Sequence, residues 1–258
     1  MSLTVLHQRR YYGDSVEAPC IRYLSLRYDE ACETDYRTDQ NHIIDLGLFP
    51  ALKELKLSGF EQPTKETLPC RGTIFPNISI KMSRCTVRSA FEFFSNFSSA
   101  RCLRLKNCLF CESSGLVQFP DLTKLSIVPD WRAPVPQIFC PRLERFEASV
   151  QEKYQLDTLP DWLACASESV EQIDIAYTRP DALEPISDEL AQKLVNFKYL
   201  RNIRIGGSLC FTKGGWIKFS KEIRGLKSAE IVFLPREEDT FVTVRDSMPF
   251  CYPSDTHI

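Results

Sequence analysis

Apolar residues recur along the chain as apolar-x-apolar triplets in which the middle position is polar or charged. Anchored on its first apolar residue, the pattern reads Leu24-Ser-Leu26, Leu55-Lys-Leu57, Ile80-Lys-Met82, Leu103-Arg-Leu105, Leu125-Ser-Ile127, Phe146-Glu-Ala148, Ile173-Asp-Ile175, Ile203-Arg-Ile205 and Ala229-Glu-Ile231. Successive anchors lie 31, 25, 23, 22, 21, 27, 30 and 26 residues apart. Three residues before each anchor stand Ile21, Leu52, Asn77, Ala100, Leu122, Leu143, Val170, Leu200 and Leu226, apolar in every unit but one. This column took no part in choosing the anchors, so its agreement supports the alignment independently. Period-two alternation predicts one short strand per unit, with alternate side chains pointing inward. A single unit of this size cannot bury its apolar face alone, so the units must stack into a solenoid.

Between strands the period changes. Val87, Phe91, Phe94 and Phe97 fall near one helical stripe; Leu190, Leu194 and Val195 follow Ser187 as a cap; Trp216, Phe219 and Ile223 form a third stripe. Leu159, Leu163 and Ala166 predict a helix over 157–166, and four prolines within 129–141 predict an extended connection. The longest insert, 28–48, carries Asp29, Glu30, Glu33, Asp35 and Asp39 and reads as an acidic, solvated helix or loop. The organisation predicted is one α/β solenoid over 1–234. A C-terminal cap or tail follows over 235–258, in which Phe241-Val-Thr-Val244 is a candidate closing strand.

Composition narrows the function classes. The formal net charge of −2 and a pI near 6.0 exert no global pull toward nucleic acid or lipid. The first ten residues lack the basic-then-apolar order of a secretory signal, and no stretch approaches the roughly 18 apolar residues of a membrane span. A cytoplasmic or nuclear location is expected, and Asn77-Ile-Ser79 and Asn96-Phe-Ser98 then read as chance glycosylation patterns. The 11 cysteines are expected to be reduced and to act as small buried hydrophobes. Cys108-Leu-Phe-Cys111, with Cys102 nearby, lacks a second ligand pair, so no metal and no cofactor is expected.

The units resemble the leucine-rich-repeat family. Ala100-Arg-Cys-Leu103-Arg-Leu105-Lys-Asn-Cys108 fits the cysteine-containing variant from end to end, and Cys140-Pro-Arg-Leu143-Glu-Arg-Phe146 is similar to that variant's opening. Cys85 and Cys108 stand five residues after their anchors, where the family commonly has Asn or Cys. That variant, the irregular spacing and the Phe-Pro-x-Leu openings Phe49-Pro-Ala-Leu52 and Phe119-Pro-Asp-Leu122 resemble the repeat regions of fungal F-box proteins, over about residues 1–234. The resemblance implies a curved parallel sheet with helices or irregular segments on its convex side. It also implies that the repeats present a protein substrate to a cullin ubiquitin ligase. In that family an F-box docks the Skp-type adaptor, and no segment here matches one. Leu3-Thr-Val5 aligns with Leu24-Ser-Leu26 at a spacing of 21, so the chain starts inside a repeat. The expectation is a longer natural chain, with adaptor docking only if an F-box lies upstream. A stand-alone repeat scaffold or regulator is the other reading.

On the concave face, the position between the paired apolar residues reads Ser25, Lys56, Lys81, Arg104, Ser126, Glu147, Asp174, Arg204 and Glu230, flanked by Lys106, Lys124 and Arg145. The candidate partner-binding residues are Lys56, Lys81, Arg104, Lys106, Lys124, Arg145 and Arg204. A basic patch followed by an acidic one suits a protein segment that is acidic or phosphorylated. Nucleic acid suits it less, because no aromatic column interleaves with the cations. Catalysis is not expected: His7, His42 and His257 lie far apart in sequence, and Gly206-Gly207 and Gly214-Gly215 are read as turns rather than phosphate loops.

Overall fold

The computed structural model describes residues 20–27, 45–60, 68, 70, 73–112, 115–128, 137–151, 155–156, 159, 163, 169–177, 184–207, 209–223 and 225–231, together with the backbone of 2–6 and 242–244. One sheet of eleven strands runs through it, each strand hydrogen-bonded to the next in chain order. The strands are β1 (Ser2–Leu6), β2 (Tyr23–Arg27), β3 (Glu54–Ser58), β4 (Ser79–Ser83), β5 (Cys102–Lys106), β6 (Lys124–Val128), β7 (Arg145–Val150), β8 (Gln172–Tyr177), β9 (Asn202–Gly207), β10 (Ser228–Ile231) and β11 (Val242–Val244). The first ten are parallel; β11 returns antiparallel against β10. The architecture is a solenoid-like α/β fold.

The register follows the predicted anchors without a slip. Leu24, Leu55, Ile80, Leu103, Leu125, Phe146, Ile173, Ile203 and Ala229 are partners in one row, and Leu3 joins it against Leu24. The second apolar residues, from Leu26 to Ile231, form a parallel row. No anchor or second residue from β2 to β10 is more than 4% exposed. A one-residue slip would turn both rows to solvent, which is why the burial pattern holds the register.

The column three residues before the anchors is also buried, except at Asn77. Asn77 is exposed with φ 60°, and Ile78 is fully buried in its stead. At most junctions one carbonyl accepts two N–H groups of the following unit: Thr123 O receives Glu144 N and Arg145 N, and Glu144 O receives Glu171 N and Gln172 N, all at 2.8–3.0 Å. At the Asn77 unit only Ser79 N reaches Lys53 O. The one polar residue in the column thus coincides with a break in the ladder.

The buried face packs against short parallel pairs (Thr86–Ser89 with Leu109–Glu112, Val117–Gln118 with Ile138–Phe139, Glu184–Pro185 with Leu209–Cys210) and, among the described residues, three α-helices described over their whole length. These helices are α1 (Ala90–Phe94), α2 (Asp188–Val195) and α3 (Lys213–Glu222). Ser187 caps α2 by accepting the Leu190 N–H at 3.2 Å, and Leu190 and Leu194 are buried. In α3, Phe219 is buried and Trp216 packs on the core, and Ile223 is buried at the C-cap. Gly214 and Gly215 lie in its first turn, contrary to the reading of them as a turn; Thr212 caps this helix by accepting the Gly215 N–H at 3.0 Å.

The phenylalanine stripe is a correction. Ser89 caps α1, so Val87 belongs to the preceding strand and the buried set is Phe93, Phe94 and Phe97, while Phe91 is 52% exposed. Counting helical period from Val87 set the wrong phase. Leu159 and Leu163 are helical and fully buried; the rest of the helix expected over 157–166, the acidic insert apart from 45–48, and the proline-rich connection apart from 137–141 lie outside the described residues.

Candidate functional site

Because apolar residues occupy every second position, the intervening positions of each strand project from the opposite, open face in three columns. The central column is Ser25, Lys56, Lys81, Arg104, Ser126, Glu147, Asp174, Arg204 and Glu230, each in register with the next. The column toward the strand starts runs Tyr23, Glu54, Ser79, Cys102, Lys124, Arg145, Gln172, Asn202 and Ser228. The column toward the strand ends begins Arg27, Ser58, Ser83, Lys106, Val128.

All seven residues expected to bind a partner project from this face, but they are not equivalent. Lys81 is paired with Glu54 at 2.7 Å. Arg104 reaches across the Ser126 strand to Glu147 at 3.7 Å, and Arg145 pairs with the same carboxylate at 2.6 Å. Arg204 sits between its register neighbours Asp174 (3.9 Å) and Glu230 (3.3 Å). Lys56, Lys106 and Lys124 are exposed and have no ion-pair partner among the described residues. A fourth exposed cation of this kind, Arg27, was missed in the sequence. It stands three residues after its anchor, the column in which only Lys106 was read, and extending that column to every unit finds it.

The C-terminal half of the face is an ion-pair ladder that includes the half-buried Asp174. Its partial burial outweighs the attraction of Arg204 and, with help from Glu147, holds its carboxyl above the ordinary value of 3.8. The folded state therefore binds this proton more tightly than the unfolded chain, and stability falls as pH rises through the interval above 3.8. Asp174→Asn is expected to raise the urea midpoint at pH 7, with the gain fading toward pH 3.8. Equal midpoints for the two proteins at pH 7 would contradict this account.

The cysteines divide by position. Cys85 and Cys108 are buried at the bend after β4 and β5, their thiols 3.4 and 3.5 Å from the carbonyls two residues back. Contact with the Cys85 sulfur, then burial, pushes the Cys108 thiol up. Burial, with Asp45 and Glu184 respectively, pushes Cys70 and Cys210 up to about 11, so neither is a thiolate at neutral pH. Cys111 is exposed on the strand that follows buried Cys108, and Cys102 projects from the open face, so the three do not converge. Among the described residues no group of three or more His, Cys, Asp or Glu could hold a metal ion. A shallow recess along the edge where strands begin, lined by residues including Arg101, Arg142, Glu144, Glu171 and Tyr199, contains no histidine or cysteine. Among the described residues no helix is long and apolar enough to cross a membrane.

No family model matches the chain, and no curated protein or solved structure matches it.

Proposed function

We propose that this chain is a leucine-rich-repeat module that binds a protein on its open face, and that it is the substrate-recognition region of an F-box-type ubiquitin-ligase receptor. One observation carries the binding role: nine consecutive parallel strands, β2 to β10, send all anchor residues to one side and align the outward side chains in unbroken columns on the other. Such a face is broad and polar, which suits a macromolecular partner. The repeat identity is supported by the Ala100–Cys108 pattern and by the matching positions of Cys85 and Cys108 at the strand exits. The ligase role is supported by the resemblance to F-box repeat regions.

The test uses Ser126, half-buried at the centre of the face between Arg104 and Glu147. Ser126→Trp places an indole over the central column without touching the core. In affinity capture of the protein expressed from its native locus, this variant is expected to lose its protein partner at least tenfold while its melting temperature is unchanged. Undiminished capture would remove the open face as the binding surface. Recovery of a Skp-type adaptor in the same capture supports the ligase role, and capture of a partner without an adaptor favours a stand-alone scaffold.

A further inference from the structure

The open face is electrically divided. On strands β2 to β6 it carries six basic side chains (Arg27, Lys56, Lys81, Arg104, Lys106, Lys124) against one acidic, Glu54, a net +5. On β7 to β10 it carries two basic side chains (Arg145, Arg204) against three acidic (Glu147, Asp174, Glu230), a net −1. All three carboxylates of the second half are engaged in ion pairs, Glu147 with Arg104 of the first half as well as with Arg145. In the first half Lys81 pairs with Glu54 and Arg104 with Glu147 of the second half, which leaves four cations without an ion-pair partner among the described residues. Unpaired lysines and arginines clustered on a protein surface repel one another and keep their donors available to an incoming anion.

We propose that the half of the face formed by β2 to β6 binds a short acidic segment of the partner protein, held by Arg27, Lys56, Lys106 and Lys124; this rests on the open face being the protein-binding surface. The size of the patch limits the ligand. Five strands spaced about 4.8 Å apart span about 19 Å, the length of about six residues in extended conformation. A longer polyanion would run onto Glu147, Asp174 and Glu230, which would repel it. Single-stranded nucleic acid is disfavoured by the same limit and by the scarcity of stacking surfaces, since Tyr23 is the one aromatic in the outward columns over β2 to β10. The paired Arg204 and Arg145 take no direct part, because their charge is already matched.

The experiment titrates a fluorescein-labelled hexaglutamate peptide into the full chain at low ionic strength, where screening is weak. Binding is expected to weaken at least tenfold in the double variant Lys56→Glu/Lys106→Glu. It should change less than twofold in Arg204→Gln and in Lys218→Glu/Lys221→Glu, which makes the same net charge change on exposed positions of α3. Neither Lys56 nor Lys106 contributes an ion pair among the described residues, so the double variant should melt with the wild type, and the melt separates lost binding from lost folding. The proposal is overturned by failure of the wild type to bind hexaglutamate, by equal weakening in the α3 variant, or by tighter binding of hexathymidylate than of hexaglutamate. If hexaglutamate fails while Ser126→Trp still abolishes partner capture, the binding surface stands and only the acidic ligand is lost. If Ser126→Trp leaves capture intact, the reading on which this inference rests is lost as well.

Discussion

Replacing Gly207 by alanine is expected to destabilise the protein by about 3 kcal/mol, read as a lowered urea midpoint. Two effects add. Gly207 has φ +71°, a left-handed conformation that costs a residue with a Cβ about 1–2 kcal/mol. Its Cβ would also meet the carbonyl oxygen of Tyr177 at 2.1 Å and the carbonyl carbon at 2.9 Å. Tyr177 is the register partner of Gly207 on β8, so relief requires the paired backbones to separate. The conformation alone is tolerable: Arg84 (φ 52°) and Asn107 (φ 51°) occupy the equivalent position, four residues after their anchors, as does Gly59. Gly225 separates the two effects, because it has φ +82° and nothing lies within 4 Å of the point where an alanine methyl would stand. Gly225→Ala should therefore cost only about 1 kcal/mol. Hydrogen exchange should place the loss in Gly207→Ala on the amides of β8 and β9. Equal costs for the two variants would show that the close approach to Tyr177 is relieved without penalty.

Truncating Phe94 is expected to cost about 4 kcal/mol, the usual range for a fully buried phenylalanine. Phe94 is 0% exposed, and its ring centroid lies 5.1 Å from that of Phe93, 5.5 Å from Phe119 and 6.3 Å from Phe110. These rings belong to segments following β4 and β5, so Phe94 joins the layers of consecutive units. In a solenoid each unit is stabilised by its neighbours alone, and a cavity at such a junction weakens the coupling between the two parts of the array. The urea transition of Phe94→Ala should shift to lower midpoint and broaden. Phe91→Ala, three residues away and half exposed, should cost at most about 1 kcal/mol. Comparable losses for both would mean that the helix packs by the phase read from the sequence, with Phe91 inside.

The inward columns were readable in advance. A strand needs only the alternation of i and i+2, and a stack needs only the recurrence of that pattern; both are present at Leu24, Leu55, Leu103 and the other anchors. Ser187 likewise announced its helix, since a cap is a bond to a neighbour three residues away. Asn77 was a visible exception, although the pattern did not show that Ile78 would replace it.

The candidate face was legible as a set of positions but not as a set of charges available to a partner. Lys81 pairs with Glu54 over 27 residues, and Arg104 engages Glu147 across an intervening strand. Lys56 and Lys106, on the same face, form no ion pair with any of the described residues. In the one-dimensional pattern these lysines and arginines look alike. Their difference arises from how far each side chain reaches across stacked units, and so do the phase of Phe91 against Phe94 and the close approach of Gly207 to Tyr177. The direction in which a residue points follows from the local backbone period written in the chain. What that residue touches depends on distances between segments far apart in sequence, and those distances exist only once the units are stacked.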